Sequence, residues 1–137
     1  AYNMRKSQIF GGDQLRTNIH INDMCAVSSV LINADRNNIK SKVFNAGFEN
    51  IKVVDLARIV KIVIGDDVEL IIKETDEQRS YHISSEKINR ILDFNTRFKI
   101  DDAVKDLIYA FDNKILSNTF SNDNYFNIKK MQNIDMK

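Results

Sequence analysis

At 137 residues, 43% hydrophobic and 28% charged, the chain can build one domain with a modest core, or one domain and a tail. Lys and Arg number 20 against 19 Asp and Glu, a formal charge of +1, so there is no basic field of the kind a general nucleic-acid binder or a membrane-surface module needs. The lone Cys25 excludes a disulfide framework and a cysteine zinc site and fits a reducing cytoplasm. There is no run of about eighteen apolar residues to span a membrane and no signal-peptide core after Ala1.

In chain order, the first six residues are compatible with the end of a helix. Gln8, Ile9 and Phe10 run into Gly11-Gly12-Asp13, a turn signal with two residues free to take positive φ. Residues 16–21 alternate, with Ile19 and Ile21 on one face and His20 on the other, which predicts a short strand. Asn22 or Asp23 is then placed to cap a helix carrying Met24, Val27, Val30, Leu31 and Ala34 at helical spacing, broken by Asp35-Arg36-Asn37-Asn38. Residues 42–45 read as a strand. The clearest helix follows, with Val53, Leu56, Ala57, Val60, Val63 and Ile64 on one face and Gly65 where a left-handed cap is wanted. Val68, Leu70 and Ile72 alternate as a strand, and Tyr81 and Ile83 mark a shorter one. Ser84 can cap a helix bearing Ile88, Ile91 and Leu92. A last helix starts near Asp101-Asp102, acidic residues suited to the positive end of its dipole, with Val104, Leu107, Ile108, Phe111 and Ile115 along it. Beyond Leu116 the chain is rich in Ser, Asn and Asp and reads as a tail or loosely docked segment. The pattern is α+β: short strands, about four helices and no long parallel βαβ series.

No glycine-rich dinucleotide turn, P-loop, nucleophile elbow or H-E-x-x-H is present. His20 and His82 have no partner at a metal-ligand spacing and read as residues on the solvent faces of strands. Cys25, near a helix start, reads as a partly buried structural thiol. The pairs Asp66-Asp67 and Asp101-Asp102 are explained by capping and solvation. Arg16, after the Gly-Gly turn, and Arg79, after the loop at 74–78, stand at loop–strand junctions, where a guanidinium can bond phosphate oxygens in bidentate fashion. The plain alternative for each is an ordinary surface arginine paired with Asp13 or Asp76.

The segment 9–24, Ile-Phe-Gly-Gly-Asp-Gln-Leu-Arg-Thr-Asn-Ile-His-Ile-Asn-Asp-Met, resembles the G-x-x-x-R-x-x-x-H-V-x-D segment of extended short-chain dehydrogenase/reductases, the nucleotide-sugar epimerases and dehydratases. Val43-Phe44-Asn45-Ala46-Gly47 resembles that family's Y-N-x-G strand, and Asp55-Leu56-Ala57 the helix after it. Asp76-Glu77-Gln78-Arg79-Ser80-Tyr81 matches D-x-x-R-x-Y. Lys87-Ile88 with Leu92-Asp93-Phe94 matches the continuation K-x-x-x-x-L-G-F, except that Asp93 replaces the glycine.

The resemblance, in order over about residues 9–115, implies the small C-terminal substrate-binding domain of such an enzyme at 1–116, with a tail at 117–137 and no Rossmann sheet. It places the NAD(P) turn and the Tyr-x-x-x-Lys catalytic pair on a Rossmann domain outside this chain. The chain is therefore expected to carry no cofactor site, no metal and no catalytic residue, and to be silent alone. It implies a nucleotide-diphosphate sugar as ligand, with Arg16 and Arg79 as the diphosphate clamp and Asn45 and Tyr81 beside it. Asn45 is also expected to satisfy turn backbone, Asp23 to cap its helix and His20 to bond loop backbone. The parent would be a cytoplasmic NAD-dependent epimerase or dehydratase, an isomerase, lyase or oxidoreductase, with apolar surface exposed where the Rossmann domain packs. The rival expectation is a stand-alone, non-catalytic module that reuses the fold for protein contact.

Overall fold

The computed structural model describes residues 1–77 and 79–134; Gln78, inside the 76–81 motif, and residues 135–137, at the end of the expected tail, lie outside the described residues. Contacts divide the chain into two units, Ala1–Asp106 and Leu107–Lys137. The first is α+β. Its strands form two separate two-stranded sheets, and no extended Rossmann sheet is seen among the described residues.

Strand β1 (Lys6–Phe10) buries Ile9 and pairs in parallel with β4 (Glu69–Lys73), Ile9 opposite Ile72. The helix end expected over residues 1–6 is thus not found: Lys6 opens the strand. Parallel strands need a crossover connection, and everything from the Gly-Gly turn to Val68 supplies it. Gly11 and Gly12 take φ of 76° and 134°. That turn sends the chain back into β2 (Leu15–Asn18), antiparallel to β3 (Glu49–Lys52) with Arg16 opposite Ile51.

Helix α1 (Ile21–Asn33) starts three residues before the predicted stripe. His20 caps it, accepting the Asn22 N–H at Nδ1 (3.1 Å), so β2 stops at Asn18 and Ile21 is helical and exposed. Asp23 does not cap. Its carboxylate is 1% exposed and accepts the backbone N–H groups of Arg97 (3.0 and 3.1 Å) and Phe98 (3.0 Å). His20 is likewise buried, stacked on Phe98 and 3.3 Å from Asp106, not on a solvent face. The two residues have exchanged their expected roles. Cys25 is exposed rather than partly buried.

After α1 the break at residue 35 becomes a new start: the Asp35 carboxylate accepts the Asn37 N–H (2.7 Å) and opens the single turn α2 (Arg36–Ile39). The strand expected at 42–45 is absent, because no neighbouring strand pairs with it. Phe44 and Ala46 instead pack on the core cluster of Val27, Ile88 and Phe94. Helix α3 (Val53–Ile64) is as predicted and ends at Gly65, whose φ of 147° and ψ of 153° lie in glycine territory but outside the left-handed helical region. A side chain there would crowd the Arg5–Asp67 ion pair, whose guanidinium and carboxylate meet at 2.7 and 2.8 Å. Helix α4 (Glu86–Leu92) buries Ile88, and Asp93 caps it in the left-handed conformation, φ 51° and ψ 33°.

Helix α5 (Ile100–Asp112) is started by Asp102, which accepts the Lys99 N–H (2.9 Å), and it ends before Ile115. In the second unit, residues 118–126 turn through a single 3-10 turn (Asp123–Tyr125) into α6 (Asn127–Asn133). Asn122 caps that turn, and an Asn133–Asp123 side-chain bond (3.0 Å) ties it to α6.

Two stability outcomes follow from these contacts. Asp23→Ala leaves the part-buried N–H groups of Arg97 and Phe98 without their acceptor and should cost roughly 2 kcal/mol in urea unfolding. Asp93→Gly relieves an L residue of the left-handed conformation and should gain about 0.5–1 kcal/mol in the same assay.

Candidate functional site

Arg16, Arg79 and Tyr81 are brought together by the way residues 79–83 run alongside β2. Ser80 Oγ accepts the Leu15 N–H (3.0 Å), and the Tyr81 N–H donates to the Leu15 carbonyl (3.1 Å). At Ile83 the side chain of Asn50 replaces a strand partner, accepting its N–H (3.0 Å) and donating to its carbonyl (2.9 Å). The short strand expected at Tyr81 and Ile83 is therefore not a strand: a side-chain amide has taken the place of a backbone ladder.

The Arg16 guanidinium lies across this junction. Its Nη1 donates to the carbonyls of Leu15 (2.8 Å) and Arg79 (2.6 Å), and its carbon sits 5.0 Å from the centre of the Tyr81 ring, a cation–π distance. Arg79 turns its own fork onto Glu77. Nε lies 2.8 and 3.1 Å from the two carboxylate oxygens, Nη2 donates to Oε2, and the Arg79 backbone N–H adds a bond at 3.1 Å. Neither arginine pairs with Asp13, which is bound by Lys52 (2.9 Å), or with Asp76. The bonds from the Arg79 guanidinium, then the one from its backbone N–H, push the Glu77 carboxyl down from 4.5 to about 2, and Glu77 holds the Arg79 proton more tightly in return.

Asn45 does not join this group by any hydrogen bond. It is exposed, and the turn backbone it was expected to satisfy is held by Ser85, whose Oγ accepts the Gly47 N–H (2.9 Å) and donates to the Gly47 carbonyl (3.1 Å). Beside Arg79 lies an open depression of 870 Å³. It is lined by four carboxylates, Asp13, Glu74, Asp76 and Glu77, and by Lys73. Neither Arg16 nor Arg79 lines it; Glu77 and Ser80, which do, flank Arg79 in sequence.

Dinucleotide binding by this chain does not fit the Gly-Gly turn. It feeds β2 rather than a helix, and its N–H groups are already taken, Gly11 by the Lys73 carbonyl (2.8 Å) and Gly12 by Gln14 Oε1 (2.6 Å). The Tyr-x-x-x-Lys spacing, expected to be absent, does occur twice, at Tyr2–Lys6 and Tyr125–Lys129. Neither puts both side chains on one helix face: Lys6 is in β1, while Tyr125 is in the 3-10 turn and Lys129, in α6, lies over the Phe126 ring at 4.6 Å. No group of three or more metal-ligating side chains is found among the described residues.

No protein-family model and no curated protein matches the sequence. Solved structures do match. L-threonine dehydrogenase from Phytophthora infestans aligns over 82% of this chain with TM-score 0.71 and 15% identity. UDP-glucose 4-epimerase from Bifidobacterium longum, in complex with NAD+ and UDP, aligns over 81% with TM-score 0.63 and 18% identity. RMD from Pseudomonas aeruginosa, complexed with NADPH, aligns over 82% with TM-score 0.64 and 15% identity. The chain therefore shares its fold with part of each of these proteins. The chain spans only 36–38% of the length of these three proteins.

The residues that sequence reasoning missed are Asn50, Ser80 and Glu77. Glu77 was readable in principle, an acid two positions before an arginine on one loop. A lowered carboxyl pKa means that the Glu77–Arg79 pair is intact above pH 4.5 and is lost as pH falls toward 2. An NMR titration of the Glu77 side chain should give a midpoint below 4.5 that returns toward 4.5 in Arg79→Ala.

Proposed function

We propose that this chain is the C-terminal, substrate-binding portion of an NAD(P)-dependent extended short-chain dehydrogenase/reductase that acts on a nucleotide-diphosphate sugar as epimerase or dehydratase. Arg16 and Arg79 grip the diphosphate, and Tyr81 supports Arg16. Redox chemistry is supplied by NAD(P) on a Rossmann portion outside the chain, so the chain alone is catalytically silent. The observation that supports this reading is the 2.6 Å bond from the Arg16 guanidinium to the Arg79 carbonyl, which sets the two arginines at one junction. A pyrophosphate spreads its charge over several oxygens, and two planar forks can hold it at once.

Two further observations support a Rossmann partner over the rival stand-alone module. The β1–β4 pair is a parallel sheet of only two strands, whereas parallel strands ordinarily belong to sheets covered on both faces. Large apolar side chains stand exposed on it and on α1 and α3, among them Phe10, Ile72, Ile32 and Ile62.

A second reading draws on the acidic depression and on the dehydrogenase likeness: a substrate bearing an ammonium group, such as an amino acid, with its carboxylate on an arginine and its ammonium among Asp13, Glu74 and Asp76. NMR shift titrations with UDP and with L-threonine separate the two. The sugar-nucleotide reading expects UDP to bind, and Arg16→Ala or Arg79→Ala each to weaken it about tenfold or more, the worth of a charged hydrogen bond. Binding of L-threonine but not UDP, or UDP affinity indifferent to both substitutions, sinks it.

A further inference from the structure

We propose that Glu77 is the resident occupant of the Arg79 fork: its carboxylate holds the guanidinium where a ligand phosphate would sit, and leaves when a pyrophosphate group binds. This rests on the reading of Arg79 as a diphosphate ligand and adds a positioning residue that sets the affinity of that site. The geometry is that of a stand-in. Both carboxylate oxygens lie on the Nε–Nη2 edge of the guanidinium, the bidentate edge that an oxyanion uses. The stand-in is itself held in place, since the Glu77 N–H donates to Thr75 Oγ1 (3.2 Å) and the Arg79 N–H to Glu77 Oε1 (3.1 Å).

The pair is also weak enough to open. The Arg79 side chain is 73% exposed and that of Glu77 41%, and exposed ion pairs contribute little in water. A carboxylate two residues away is nevertheless always at hand, an intramolecular competitor that any incoming anion must displace. Dilute single-charge anions are therefore kept off the fork, while a pyrophosphate, more highly charged and reaching Arg16 as well, displaces the carboxylate. Asp76 shares the same depression and the same charge but makes no bond to Arg79, so it separates specific occupancy from a general acidic field.

The test titrates inorganic pyrophosphate into the full chain at low salt by calorimetry, with circular dichroism to confirm folding of each variant. Glu77→Gln should raise affinity about two- to fivefold, the worth of an exposed pair, a gain that structural damage does not produce. Asp76→Asn should change it by less than half that. Unchanged or lower affinity in Glu77→Gln, or an equal gain in Asp76→Asn, overturns the stand-in while Arg79→Ala still reports on the clamp. If Arg79→Ala binds as well as the unmodified chain, or if no form binds pyrophosphate, the diphosphate reading falls and the stand-in with it.

Discussion

The geometry around Arg79 depends on one side chain, the Asn50 amide. By serving both the N–H and the carbonyl of Ile83, it docks a segment with no strand structure of its own against the β2–β3 pair. From that clasp the chain runs one way to Ser80 and Arg79, beside Arg16, and the other way to Ser85 and α4, whose Ile88 is fully buried in the core. An amide has a donor and an acceptor on one short stem, so it can imitate a peptide unit where a strand partner is missing. Packing and site are joined at this point.

Much of this was legible from the pattern of apolar residues. Helix α3 follows from the spacing of Val53 to Ile64, and Gly65 marks its end, because a broad apolar stripe leaves one favourable orientation. Strand β4 follows from the alternation at 68–72. The motifs around Arg16 and Arg79 pointed to the fold that the solved structures share. What failed has a common cause: it depended on partners distant in sequence. Residues 42–45 have strand composition, yet a strand exists only where another lies alongside it. His20 and Asp23 were both recognised as structural, but which one capped α1 turned on the backbone N–H groups at 97 and 98, more than seventy positions away.

The site shows the same divide. That two arginines share a junction is a matter of order along the chain, and the motifs carried it. That one fork is already filled by Glu77 while the other bonds to carbonyls is a matter of local hydrogen bonding among ordinary polar residues, which leaves no periodic trace. The acidity of the adjoining depression was likewise spread over residues 13 and 74–77, two segments that only the fold brings to one place.

The bond from the Arg16 guanidinium to the Arg79 peptide also makes the two positions mechanically interdependent. Truncating Arg16 unties the backbone that carries Arg79, so that substitution also removes part of what Arg79 supplies, whereas truncating Arg79 leaves the carbonyl that Arg16 holds. Their energetic effects on any shared anion then overlap instead of adding, and a double-mutant cycle closes with a large interaction energy rather than near zero.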